Sequence, residues 1–184
     1  MRAKLISLTL ALMLGAGVVA CGEDDSGGGG GAESSETAAP EPTETAPSGG
    51  GVEAIAGGTS KDTAAKPEFP APSGEPPTEL VIEDIVKGKG PKAKQGDQLT
   101  MQYVGVSWSN GQQFDASWDS GQPFPFQLGA GMVIPGWDQG MVGMRKGGRR
   151  LLVIPPDLGY GPSGSGPIGP NETLIFVVDL VELG

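Results

Sequence analysis

Nine of the ten aromatic residues of this chain lie beyond residue 77, and one acid stands directly behind one of them, in the pair Phe114-Asp115. Around that pair in sequence come Tyr103, Phe124, Phe126, Trp137, Tyr160 and Phe176, with the aliphatic residues Val133, Ile134 and Ile168. There is no histidine, and the single cysteine is Cys21. A Ser-His-Asp triad, a Cys/His pair, a Cys/His zinc site and an H-E-x-x-H metalloprotease helix are therefore excluded by composition. Taken one at a time, Phe124, Phe126 and Phe176 alternate along strands and Trp137 lies on an apolar helix side, so each also reads as ordinary core. Asp115 is either a turn-former or a buried group that must be hydrogen-bonded.

The elements that have to position these residues are short. Leu80, Ile82 and Asp84 alternate with Val81, Glu83 and Ile85 in a half-buried first strand, which ends in the turn Lys87-Gly88-Lys89-Gly90-Pro91. Leu99, Met101 and Tyr103 share one face of a second strand, and Ser109-Asn110-Gly111 supplies a tight hairpin turn. Phe124 to Leu128 has period two, with Pro125 pointing to a sheet edge. Pro135 to Gly143 is the one plausible helix: proline is tolerated in the first turn, and Trp137, Met141 and Met144 make one apolar side. Arg149 to Ile154 and Thr173 to Leu183 are the strongest strands. Between them the Gly- and Pro-rich stretch 155–170 makes a loop long enough to be functional. A short helix packed on an antiparallel sheet is an α+β domain.

Four strings stand in a telling order: Tyr103-Val104-Gly105, Phe114-Asp115, Val133-Ile134-Pro135-Gly136-Trp137 and Tyr160-Gly161. They are followed by Ile168-Gly169-Pro170-Asn171-Glu172-Thr173-Leu174-Ile175-Phe176. Over 78–184 this set resembles the FKBP-type peptidyl-prolyl cis-trans isomerases. The resemblance implies a twisted antiparallel sheet wrapped around one short helix. It implies a pocket of Tyr103, Phe114, Asp115, Phe124, Phe126, Val133, Ile134, Trp137, Tyr160, Ile168 and Phe176, with Trp137 as its floor. In the family's roles, Trp137, Phe124, Val133 and Phe176 hold a proline ring, the Ile134 N–H and the Tyr160 hydroxyl bond substrate carbonyls, and Asp115 orients or polarises near the rotating amide. Tyr103, Phe114, Asp115 and Tyr160 are the implied catalytic set. The implied partners are proline-containing segments of exported or unfolded proteins and a tacrolimus-like macrolide; no cofactor or metal is called for. The alternative is a binding module or holdase that uses the same pocket without turnover. Three departures from the family pattern bear on specificity: Ser120-Gly121-Gln122 stands where an arginine pairs with the pocket acid, Met132 replaces a polar residue, and Ser165 stands near a frequent histidine.

The N-terminal part reads as a delivery device. Arg2 and Lys4 precede an uncharged apolar run to Ala20, the plan of a secretory signal, and Val18-Val19-Ala20-Cys21 resembles a bacterial lipobox. Residues 1–20 are thus expected to be a lipoprotein signal peptide, Cys21 a lipidated anchor and the product a monomer on the extracytoplasmic face of a membrane. Residues 21–77, rich in Gly, Ser, Thr, Ala, Pro and Glu, are expected to be a disordered acidic linker. Residues 78–184 are expected to fold alone. Residues 22–77 carry eleven acids against two bases, and 78–184 eleven against eight, within a chain of net charge −10. That balance argues against nucleic-acid binding. Gly164 to Gly169 satisfies G-x-G-x-x-G but leads into a strand, so it is not a dinucleotide fingerprint. The cluster Arg145-Lys146-Gly147-Gly148-Arg149-Arg150 reads as a solvated turn that could also touch anionic lipid or client acids.

Overall fold

The computed structural model of the chain describes residues 50–184. The expected signal peptide and Cys21 lie outside the described residues. Strands β1 (Val81–Val86), β2 (Gln98–Ser107), β3 (Gln113–Ala116), β4 (Phe124–Gln127), β5 (Arg149–Ile154) and β6 (Leu174–Leu183) form one sheet. Its order is β1-β5-β6-β2-β3, every pairing is antiparallel, and β4 joins β2 beyond the end of β3. The hairpin expected at Ser109-Asn110-Gly111 joins β2 to β3, with Gly111 at φ +66° and its N–H donating to the Ser107 carbonyl at 2.9 Å. Pro125 lies opposite Thr100 in an edge pairing, where its missing N–H leaves the ladder intact.

The two faces of the sheet carry separate cores because side chains alternate along each strand. On the inner face Leu99, Met101, Leu152, Ile154, Leu174, Phe176 and Val178 pack against a helix, α3 (Pro135–Gly140), through Trp137, Met141 and Met144. The helix is three residues shorter than the sequence implies, with Pro135 at its start as expected. A Cβ on Gly136 would lie 2.5 Å from the Ile154 side chain and one on Gly140 2.8 Å from Leu152, so the two glycines set how closely α3 approaches the sheet. A second helix, α2 (Ser117–Ser120), follows β3 directly.

The outer face corrects the expectation of a disordered linker up to residue 77. Residues 50–58 form a helix, α1 (Gly50–Gly58), whose Val52, Ile55 and Ala56 are buried against Val81, Val104, Val106, Trp108, Leu151, Val153, Ile175 and Val177. Full burial of side chains such as Val52 and Ile55 stabilises by ~1.5–3 kcal/mol each. Beyond α1 the strap is tied down by specific bonds. Arg149, fully buried, pairs with Asp179 at 2.6 and 2.7 Å and also donates to the carbonyls of Ser60 (2.7 Å) and Ala65 (2.9 Å). Trp108 donates its indole N–H to the Gly74 carbonyl at 3.1 Å, and Lys66 pairs with Asp119 at 2.6 Å. Arg150 is buried too, bonded to Asp84 and to the Gly140 carbonyl. Half of the expected solvated basic turn is therefore internal. Residues 50–77 are thus packed against the sheet formed by 78–184.

Candidate active site

Four rings set at steep angles to one another leave a hollow that flat stacking would have filled. Trp137 meets Tyr103 and Phe176 edge to face, with centroids 5.2 Å apart in both cases, and Phe176 meets Phe114 the same way at 5.4 Å. The cavity has a volume of about 380 Å³ and is lined by these four residues together with Asp115, Phe124, Met132, Val133, Ile134, Tyr160 and the turn Ser165 to Ile168. Trp137 lies at its base, held at the start of α3 by its N–H bond to the Ile134 carbonyl at 2.9 Å.

Glycine at 105 is what lets the rings meet across β2. A Cβ there would stand 2.6 Å from the Phe114 ring and 2.8 Å from the Phe176 ring. Tyr103 lies next to a gap, since β3 pairs with β2 only from Val104 onward and β4 only up to Met101. Ser117 fills the gap: its hydroxyl accepts the Tyr103 N–H at 2.8 Å and donates to the Gln102 side chain. The Tyr103 hydroxyl then donates to Asp115 at 2.5 Å. Burial first, and next the Asp115 carboxylate that this hydroxyl faces, hold the Tyr103 phenol well above its ordinary pKa. Tyr103 thus stays a neutral donor.

Ten of the eleven residues expected in the pocket line the cavity. Phe126 does not: only 2 % exposed, it stacks behind Phe124 at 5.9 Å and touches Trp137 at 5.7 Å, so it supports the wall from the core. Asp115 is at the exposed rim rather than buried, and its hydrogen bond comes from Tyr103. Gly166 and Pro167 were not anticipated. They form the tip of a tight turn closed by two 2.9 Å bonds between the backbones of Ser165 and Ile168. The only sequence sign of their role is that they fall in the long loop 155–170.

The family model described as FKBP-type peptidyl-prolyl cis-trans isomerase matches residues 90–181. The chain belongs to that family. An FK506-binding protein of Streptomyces anulatus is 58% identical to this FKBP over 118 residues, which are 63% of this chain and 95% of the relative. A probable FK506-binding protein of Corynebacterium glutamicum is 46% identical over 116 residues, 63% of this chain and 97% of the relative. Among solved structures, that of AtFKBP13 superposes with a TM-score of 0.55 at 38% identity, covering 59% of this chain and 96% of its own. This FKBP is thus a peptidyl-prolyl cis-trans isomerase. The span of the family model begins after β1 and so leaves out β1 as well as α1 and the strap.

Proposed function

We propose that this isomerase accelerates X-Pro rotation in exported proteins as they fold, by desolvation and hydrogen bonding, while a lipid on Cys21 holds it on the extracytoplasmic face of a bacterial membrane. The observation that carries the mechanism is the aromatic cavity itself, a recess of about 380 Å³ with Trp137 at its base and no histidine or thiol in its lining. Amide resonance maintains a barrier of ~18–20 kcal/mol to rotation. The twisted transition state loses that resonance and its charge separation, so an apolar recess favours it over the planar ground state. A thousandfold acceleration requires only about 4 kcal/mol of such preference.

Eight of the lining residues have a role in that reading. Trp137, Phe124, Val133 and Phe176 enclose the proline ring. The Ile134 N–H, which has no acceptor among the described residues, and the exposed hydroxyl of Tyr160 are donors for substrate carbonyls. Asp115, with the Tyr103 hydroxyl on one oxygen, orients near the rotating amide. The same recess suits a tacrolimus-like macrolide, a reading supported by the names of the FK506-binding relatives. Membrane delivery rests on Val18-Val19-Ala20-Cys21 and the apolar run before it.

The deciding experiment is the effect of the purified protein on a proline-limited refolding reaction. The expected result is a catalytic rate increase that rises linearly with enzyme and is blocked by the macrolide. Tight binding of the client with no rate increase would instead give the pocket a holdase role. For the anchor, Cys21→Ser should leave the protein soluble or uncleaved; membrane retention of the processed variant would sink the lipid.

A further inference from the structure

Residues 78–184 carry eight cations, and the fold spends them in two different ways. Arg149 and Arg150 are internal and paired. The other six, Lys87, Lys89, Lys92, Lys94, Arg145 and Lys146, are all exposed, and none forms an ion pair with the described residues. They come from two loops far apart in sequence that the backbone zips together. Lys92 and Arg145 face each other in a β-bridge, Gly90 N–H donates to the Lys146 carbonyl at 3.1 Å, and Lys146 N–H donates to the Pro91 carbonyl at 3.1 Å. Beyond them Ala93 N–H reaches the Met144 carbonyl at 2.8 Å. At Gly88 a Cβ would lie 2.4 Å from the Lys146 carbonyl oxygen, so the loops are in direct contact. A chain of net charge −10 therefore holds six exposed cations on a platform of two loops zipped together by their backbones, the one carboxylate bonded within them being Asp97, which accepts the Lys94 N–H at 2.8 Å.

We propose that this platform is a docking surface for an anionic lipid bilayer. Five of its six cations are lysines, compact point charges without the planar fork that selects a single carboxylate or phosphate. Neither loop contains an aromatic residue on which a nucleobase could stack, and no platform residue lines the cavity. A spread layer of point charges matches a spread layer of lipid phosphates. The placement also suits an enzyme whose pocket must stay open. Val133, Ile134 and Trp137 gather at the start of α3, whereas Met144, Arg145 and Lys146 follow its end.

The test uses the chain from residue 22 onward, which omits Cys21 and so does not depend on lipidation, and which keeps all of 50–184 with the complete sheet and both cores. It is sedimented with vesicles of phosphatidylglycerol and, separately, of phosphatidylcholine. Each cation near an anionic surface raises partitioning roughly fivefold at low salt. The expected result is retention on phosphatidylglycerol at least about tenfold above phosphatidylcholine, fading as ionic strength rises from about 0.05 to 0.5 M. Changing all six cations to Gln should abolish the difference while isomerase turnover stays unchanged. Lys87→Gln, Lys89→Gln and Lys146→Gln together, whose side chains hold no bond in the fold, should remove most of it. Equal retention on both lipids, or wild-type retention by either variant, overturns the proposal. Capture by immobilised polyglutamate without vesicle binding overturns it too and gives the surface to acidic polypeptides.

Discussion

The two faces of the one sheet are covered differently. On the outer face α1 and the strap to residue 77 supply the cover: Val52, Ile55 and Ala56 share a buried cluster with apolar side chains of β1, β2, β5 and β6, and Arg149 pins the strap from beneath. On the inner face α3 has only six residues, enough to cover one end of the sheet, and the uncovered end is ringed by aromatics that meet at steep angles. Activity therefore lies where the cover is short. Stability comes from where it is longer.

That contrast is sharpest under deletion. Removing 50–77 should bare the whole outer face, so 78–184 is expected to aggregate or melt far below 50–184 in thermal unfolding; equal melting temperatures would return the strap to the status of a linker. Arg149→Ala comes next. Taking one partner from a buried ion pair destabilises by ~3–5 kcal/mol, and here it also frees the Ser60 and Ala65 carbonyls. Denaturant titration should show that loss, with peptide binding in the cavity unaltered while the protein remains folded.

On the inner face the expected losses move from stability to turnover. Asp115→Leu removes a rim carboxylate and leaves the Tyr103 hydroxyl to bond water at the exposed rim instead. Isomerase turnover should fall about tenfold or more with the melting temperature little changed. Tyr160→Phe should have a smaller effect, the ~0.5–1.5 kcal/mol of one hydrogen bond. Full activity in both variants would refute the assigned roles.

The smallest effect is one of pH. With no histidine in the chain, turnover should be flat between about pH 6 and 8. Tyr103 has its pKa raised in the folded state, so its contribution to stability is fully present below about 10, where the unfolded phenol titrates, and is lost as pH climbs through the folded value. Stability should decline above about pH 10, and less steeply in Tyr103→Phe. An inflection in turnover near neutrality would require a proton transfer that the mechanism lacks.

Most strands could be read from sequence because their periodicity was clean, as in Leu99, Met101 and Tyr103, and Pro125 marked its edge correctly. Ten of the pocket residues followed from the resemblance to the FKBP family that the ordered motifs carry, where each side chain taken alone was ambiguous. Phe126 was misplaced because period two fixes which face a residue takes, not how deep behind its neighbour it lies. Of the two readings of Asp115, the buried one fails, since its aromatic neighbours were visible in the sequence and its rim position was not. The strap was hidden by composition. Val52, Ile55 and Ala56 stand at helical spacing, yet three glycines before and two after make the segment resemble the glycine-rich stretch before it, and its partners are up to 125 residues away, as with Val52 and Val177. No local rule predicts that Arg149, inside a run of cations, points inward to hold it.

Gly105 offers a way to separate the two activities that a pocket of this kind can combine. No ring of the cavity is itself altered by Gly105→Ala, yet the added methyl must push Phe114, Phe176 or both from their places, at an overpacking cost of ~1–3 kcal/mol. Both rings line the cavity. A single methyl group buried in a strand thus becomes a plug, and the variant is expected to keep its fold while losing the room in which a proline can turn.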